Sequence, residues 1–126
     1  ERRISLGDGQ AYAQSKLALT MWSRHLAMSL TGKAPTIIAV NPGSLLGSKM
    51  VREAYGIAGG DIQKGADILA RLSLEDSAAA HSGDYFDNDS GHFADPHPDA
   101  LNPQRAEAVR NALDHILSSL GYNLHS

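Results

Sequence analysis

The feature that most restricts the fold is a short β-branched run, Thr-Ile-Ile-Ala-Val at residues 36–40, bounded by Pro35 and Pro42. A run of this kind, with no alternation of polar residues, is typical of a strand buried on both faces of a parallel sheet. Gly-Asp-Tyr-Phe-Asp at residues 83–87 predicts a second strand. Parallel neighbouring strands need a long connection, which is usually a helix, and such crossovers are right-handed. The two strands and the stretch between them therefore predict an α/β fold.

The longest helix is predicted over residues 11–31, after a loop at residues 1–10 in which Asp8 or Gly9 serves as the N-cap. Gly32 is expected to end this helix. Its apolar residues have helical spacing but spread over more than one stripe, which indicates burial on two sides, one of them against the sheet. These residues are Ala18, Leu19, Met21, Trp22, Leu26, Met28 and Leu30.

Two further helices are predicted from their N-caps. Asp61 begins the crossover helix, which unwinds over residues 74–80, and Asn102 begins the final helix with Pro103 at its first position. Gly121 is expected to end that final helix. Its apolar stripe predicts packing against another apolar surface. The stripe consists of Ala106, Val109, Leu113, Ile116, Leu117 and Leu120.

An oxygen-rich turn, Asp-Asn-Asp-Ser-Gly, follows the second strand at residues 87–91. Its glycine stands one place too early for a calcium-binding loop, and no glutamate stands at the twelfth position. We therefore predict a turn held by Asx side chains and no metal site. His81, His92 and His97 are spaced so that no two share a helix face, which disfavours a metal site there as well.

The composition excludes several classes of protein. The 126 residues carry a net charge of −3 with dispersed basic residues, so we expect no nucleic-acid partner. The chain has no cysteine, which fits a reducing compartment, and cytoplasm is the expected location. No apolar run approaches the ~20 residues that cross a bilayer, so we expect no membrane insertion.

The main candidate for chemistry is Tyr12-Ala13-Gln14-Ser15-Lys16 at the start of the long helix. Residues four apart share a helix face, so the Tyr12 phenol and the Lys16 ammonium point into the same space. A phenol titrates near pH ~10, and a fixed cation beside its oxygen lowers that pKa. The pair is therefore predicted to act as a general acid/base that interconverts a carbonyl and an alcohol.

The Tyr-x-x-x-Lys helix, with Ser15 before the lysine, is followed by a strand that runs into Asn41-Pro42-Gly43. This pattern resembles the C-terminal half of the short-chain dehydrogenase/reductase family, over essentially the whole chain. The resemblance implies that residues 1–126 form the C-terminal portion of one doubly wound, Rossmann-type α/β domain with a parallel sheet. The tail, with Gly-Asp-Tyr-Phe-Asp at residues 83–87 before the last helix, is most similar to the retinol-dehydrogenase-like branch, which implies NADP.

The resemblance also implies the site. Tyr12 would be the catalytic acid/base, and Lys16 would activate it and hold the nicotinamide ribose of NADP or NAD. The turn after the first strand would line the nicotinamide and offer backbone groups to its carboxamide. That turn comprises Asn41, Pro42, Gly43, Ser44 and Leu45.

One position departs from the family pattern. The family often has a threonine where this chain has Gly47, so the hydroxyl contact to the cofactor is either shifted to Ser48 or absent. The glycine-containing stretch at residues 44–60 suits a mobile flap over a substrate pocket, with a plain surface excursion as the alternative.

No glycine-rich phosphate-binding turn follows a strand here, and the family's catalytic serine would precede Glu1. We therefore expect a truncated piece that by itself neither binds cofactor nor turns over substrate. The complete protein would act on a small alcohol or carbonyl compound and form a homodimer or homotetramer, with the unpacked side of the long helix against a partner subunit. The alternative is a non-catalytic α/β module that self-associates through residues 11–31.

Overall fold

The computed structural model describes residues 7–30, 32–33 and 35–122. Most of the loop predicted at residues 1–10, and the predicted last helical residue Thr31, lie outside these ranges. The helices are α1 (Asp8–Ser29), α2 (Lys49–Tyr55), α3 (Ile62–Leu74) and α4 (Pro103–Ser119), and the strands are β1 (Ala39–Asn41), β2 (Tyr85–Asp87) and β3 (His92–Ala94). Short 3₁₀ helices cover Asp76–His81 and Pro98–Leu101.

The fold is mixed α/β, with more helix than strand and a three-stranded sheet of order β1-β2-β3. β1 and β2 are parallel, as predicted, with Val40 opposite Phe86. β3 was not predicted, and it is antiparallel to β2, so the expectation of an all-parallel sheet is wrong for the described residues. The reason lies in the turn at residues 87–91, which is short enough to fold the chain back beside the strand that precedes it.

The turn itself forms as predicted. The Asp87 carboxylate accepts a hydrogen bond from the Asp89 amide at 3.2 Å. The Asp87 carbonyl accepts from the Gly91 amide at 2.8 Å and from the Ser90 hydroxyl at 3.1 Å. Among the described residues, no group of three His, Asp or Glu side chains is placed to hold a metal ion.

β1 is shorter and less buried than its sequence predicts. The chain runs beside residues 82–88 from Ile37 onward, since the Ile37 carbonyl accepts from the Gly83 amide at 2.7 Å, but only residues 39–41 form regular strand. These residues are half-buried rather than buried. In the described sheet β1 has a neighbour on one side only, which accounts for the difference.

α1 begins earlier than predicted, because Gly7 is the N-cap and Asp8 is the first helical residue. Asp8 therefore does not cap the helix, and its carboxylate lies in the first turn, where the helix dipole favours a negative charge. At the other end the helix stops at Ser29, and Gly32 follows at a φ of +71°. Glycine takes this left-handed conformation without steric cost, as the sequence suggested.

A buried apolar cluster lies where α1 and α4 meet the 3₁₀ helix Pro98–Leu101. Met21, Ala100 and Ala106 are buried together, with Leu17 and Val109 packed against them. The apolar stripe of α4 therefore packs as predicted on another apolar surface, which the structure shows to be α1. The stripe is not buried evenly, because Ile116 and Leu120 at its C-terminal end are exposed.

The N-caps predicted for α3 and α4 are confirmed. The Asp61 carboxylate accepts from the Gln63 amide at 2.9 Å at the start of α3. The Asn102 side chain accepts from the Arg105 amide at 3.1 Å at the start of α4, with Pro103 in the first turn. Each cap satisfies an amide that the helix itself leaves without a partner.

Candidate functional site

Tyr12 and Lys16 lie together on the first turns of α1. The Lys16 ammonium nitrogen is 5.4 Å from the centroid of the Tyr12 ring, which is within cation–π range. Tyr12 is 51% exposed, and the Ser15 hydroxyl donates to its backbone carbonyl at 2.7 Å. The phenol and the ammonium therefore share one patch of accessible surface, as their spacing predicts.

A cavity of about 590 Å³ lies beside this pair, between α1 and β1. Of the residues singled out from the sequence, Tyr12, Lys16, Asn41 and Pro42 line it. Asn41 is the last residue of β1, so the cavity extends to the carboxyl end of a parallel strand, where ligands bind in open α/β sheets. The rest of its wall is formed by Leu19, Thr20, Ser23, Ile38, Ala39, Val40 and Tyr85.

Gly43 and Ser44 do not line this cavity, and their amides already have partners. The Gly43 amide donates to the Asn41 side-chain oxygen at 3.1 Å, and the Ser44 amide donates to the Asp89 carboxylate at 2.9 Å. The Ser44 hydroxyl donates to the same carboxylate. The backbone groups that the resemblance assigns to a carboxamide therefore stabilise the turn itself in this structure.

Asp89 is the centre of a group of residues that we call the turn network, consisting of Asn41, Ser44, Asp87 and Asp89. The Asn41 amide nitrogen donates to the carboxylates of Asp87 and Asp89, each at 3.0 Å. Hydrogen bonds from the Ser44 hydroxyl, the Ser44 amide and Asn41, in that order, lower the pKa of Asp89 although it is exposed. The network ties the end of β1 to the turn between β2 and β3.

Leu45 and Ser48 also lie away from the cavity. Leu45 adopts a φ of +52°, which is unusual for a residue with a side chain, and its carbonyl accepts from the Gly60 amide at 2.8 Å. The Ser48 hydroxyl accepts from the Val51 amide at 3.2 Å and so caps α2. The structure thus assigns Ser48 a local role in the segment that was predicted to form a flap.

Gly47 stands where the resembled family often has threonine, and this structure has no room for one. The Gly47 amide donates to the Gly60 carbonyl at 2.7 Å. A Cβ atom at Gly47 would lie 2.8 Å from the Ala58 carbonyl oxygen and 2.9 Å from that of Gly60. A bridge between Leu46 and Gly60 closes the base of the 44–60 segment, and position 47 in that closed base has room only for glycine.

Tyr85 is a wall residue that sequence reasoning missed as part of the site. It lines the cavity that holds Tyr12 and Lys16, from the first position of β2. Burial, followed by the charges of Asp87 and Asp89, raises the pKa of its phenol. The sequence could have indicated this role through the predicted parallel pairing of residues 36–40 with residues 83–87, because that pairing places Tyr85 opposite Ala39.

No family model matches the chain, and no curated protein and no solved structure matches it. Within the described ranges, none of the helices is long and apolar enough to span a membrane.

Proposed function

We propose that this chain is the C-terminal half of the Rossmann-type domain of an NAD(P)-dependent short-chain dehydrogenase/reductase that interconverts an alcohol and a carbonyl compound. The observation that supports this most is the grouping of Tyr12 and Lys16 on one cavity with Asn41 and Pro42. A phenol beside a lysine ammonium, at the carboxyl end of a parallel strand, combines acid/base chemistry with the usual place of a nucleotide.

In this proposal Tyr12 passes a proton to the substrate oxygen during reduction and removes it during oxidation. Lys16 acts as the activator of Tyr12 in this proposal, because its ammonium lies on the same surface, 5.4 Å from the centroid of the Tyr12 ring. A positive charge there attracts the negative charge that develops on the phenol oxygen.

A nicotinamide cofactor, when bound, supplies or accepts the hydride. The residues on the cavity fit its nicotinamide end, since the exposed Lys16 ammonium can donate to ribose hydroxyls and Pro42 offers an apolar wall. The fit is limited to that end. The Gly43 and Ser44 amides are occupied by Asn41 and Asp89, so carboxamide recognition through them would require the turn network to open.

The substitution Tyr12→Phe in the complete enzyme tests the proposal. It keeps the ring and removes the proton donor, so we expect kcat to fall by at least about a hundredfold with little change in cofactor affinity. The matched control is Tyr55→Phe on α2, an exposed tyrosine outside the cavity, which should leave kcat unchanged. Near-normal turnover of Tyr12→Phe would refute the acid/base role.

The self-associating module stays the alternative to an enzyme. The function of such a module would not depend on the Tyr12 hydroxyl, so Tyr12→Phe should leave it unchanged. The same variant therefore separates the two proposals.

For the enzyme we further propose a cytoplasmic location and a homodimer or homotetramer, with the exposed part of α1 against a partner subunit.

A further inference from the structure

The connection between β3 and α4 contains the 3₁₀ helix Pro98–Leu101, and His97 holds its first turn. The Ala100 amide donates to the His97 carbonyl at 2.8 Å, and the Asp99 amide donates to the His97 ring nitrogen Nδ1 at 3.1 Å. We propose that His97 is a pH-operated cap. It holds this turn while its ring is neutral and releases the Asp99 amide when the ring gains a proton. This role is independent of the proposed function.

The direction of the hydrogen bond to Asp99 fixes the protonation state of the exposed His97 ring. A backbone amide can only donate, so Nδ1 must carry a lone pair, and the proton of the neutral ring is then on Nε2. A protonated imidazole has an N–H at both nitrogens and therefore no acceptor. The cap and the protonated ring exclude each other.

Two other histidine rings make hydrogen bonds in the described ranges, and both have the opposite polarity. Nδ1 of His81 lies 2.9 Å from a carboxylate oxygen of Asp84. Nδ1 of His92 lies 3.0 Å from the Phe93 carbonyl oxygen. An ionised carboxylate and a carbonyl only accept, so both rings keep these partners when they are protonated. A fall in pH therefore removes a ring hydrogen bond at His97 and not at His81 or His92.

The neighbouring charges give the protonated ring a new partner. Nδ1 of His97 lies 4.0 Å from one carboxylate oxygen of Asp99, whose other oxygen accepts from the Arg105 guanidinium. An imidazolium is attracted to a carboxylate, so protonation moves the ring from the amide of Asp99 to its side chain. The other ionisable groups on the elements packed around this turn are Arg24 and His25 on α1, Asp95 after β3, and Glu107 on α4.

The capped turn determines how firmly α4 is joined to the rest of the fold. Ala100 is 1% exposed and is buried with Met21 of α1 and Ala106 of α4. The amide of Asn102, the N-cap residue of α4, donates to the Asp99 carbonyl at 3.3 Å. Loss of the bond to the His97 ring therefore loosens the turn that places Ala100 between the two helices.

The first test is nitrogen NMR of the histidine rings in the 126-residue chain, from about pH 7.5 to 5.5, where imidazole ordinarily gains its second proton. At the upper pH we expect an unprotonated Nδ1 in His97. As the pH falls, protection of the Asp99 amide from hydrogen exchange, relative to the intrinsic rate at each pH, should fall about fivefold, as for the loss of a helix cap. A neutral ring with its proton on Nδ1, or unchanged protection of Asp99, would overturn the proposal.

The second test separates His97 from the other groups that titrate. Asparagine accepts a backbone amide at an N-cap but does not titrate, so His97→Asn should keep the Asp99 amide protected at both ends of the pH range. His97→Ala removes the acceptor and should show the low protection at both ends. His25→Asn, the control, removes the histidine that lines a cavity with Ala100 and should keep the pH response of the unmodified chain.

Two outcomes of the second test contradict the proposal. One is a pH response that persists in His97→Asn, and the other is a response that disappears in His25→Asn. If a variant does not fold, the ring signals and amide protection of the unmodified chain decide the matter.

Discussion

Two regions meet at the end of β1, and they use similar polar groups in opposite ways. On the α1 side, Tyr12 and Lys16 are exposed beside a large cavity. On the side of the β2–β3 turn, the turn network directs its hydroxyl, amides and carboxylates at one another. The comparison separates groups that stabilise the fold from groups left accessible to a ligand, although the sequence resemblance places both sets in one site.

The largest effect of a substitution should be found at Tyr12 and Lys16, the residues left accessible beside the cavity. If the proposed function is right, Lys16→Met in the complete protein removes the cation beside Tyr12 and the donor proposed for the ribose, so we expect kcat/KM to fall by more than about a hundredfold together with weaker cofactor binding. Steady-state kinetics and calorimetry with each cofactor measure the two effects. Lys49→Met, an exposed lysine on α2, is the control. An unchanged pH optimum and cofactor affinity would make Lys16 an ordinary surface lysine.

The next effect concerns stability at the base of the 44–60 segment, where the bridge between residues 46 and 60 closes the chain. Gly47→Thr would bring the resembled family's residue into contact with two carbonyl oxygens, and we expect it to lower the free energy of unfolding by about 2–3 kcal/mol. Urea denaturation of the 126-residue chain measures the change. Gly56→Ala is the control, because Gly56 has a positive φ of +65° but open space around it. It therefore measures conformational strain without a steric collision, and we expect it to lower the free energy of unfolding by about 1 kcal/mol. A fully stable Gly47→Thr would mean that the bridge at residues 46 and 60 opens readily.

The turn network should make the free energy of unfolding depend on pH. The pKa of Asp89 is lowered in the folded chain, so its stabilisation is complete above the ordinary aspartate pKa of about 3.9 and is lost as pH falls through the lowered value. Asp89→Asn should remove this component and leave a flatter stability profile between about pH 2 and 5. Asp95→Asn, an exposed carboxylate beside β3, is the control, and equal profiles for the two variants would contradict the role of Asp89.

The smallest effect tests the backbone at the junction of the two regions. Leu45→Ile keeps the composition of the side chain but places a β-branch at a φ of +52°, which we expect to cost about 1 kcal/mol in urea denaturation. Leu45→Gly should cost less than Leu45→Ile, because glycine takes this conformation freely. If the isoleucine variant is the more stable of the two, the positive φ is not retained in solution.

Much of the fold could be predicted because the relevant signals are local. The caps at Asp61 and Asn102 depend on a side chain reaching an amide two or three residues away, so residue type and position suffice. The pairing of β1 with β2 followed from two β-rich runs separated by a helical stretch. The separation of Tyr12 from Lys16 by one helical turn placed the two side chains together in the same way.

What the sequence could not determine depends on contacts between distant segments. β3 was missed because residues 92–94 carry little strand pattern of their own and pair only when the Asx turn returns them to β2. The half-burial of β1 depends on how many neighbours it has in the sheet, which no property of residues 36–40 encodes.

Tertiary structure alone likewise decided which of the predicted site residues are accessible to a ligand and which are hydrogen-bonded within the fold. The resemblance assigned Asn41 and Ser44 to the cofactor, and their position after a strand agrees with that assignment. Their partner Asp89 lies 45 residues away from Ser44, and only folding brings it within hydrogen-bonding distance. A polar side chain is available to a ligand only if no such distant group satisfies it first. Residue identity therefore determined which groups could bind a ligand, and long-range packing determined which of them are accessible.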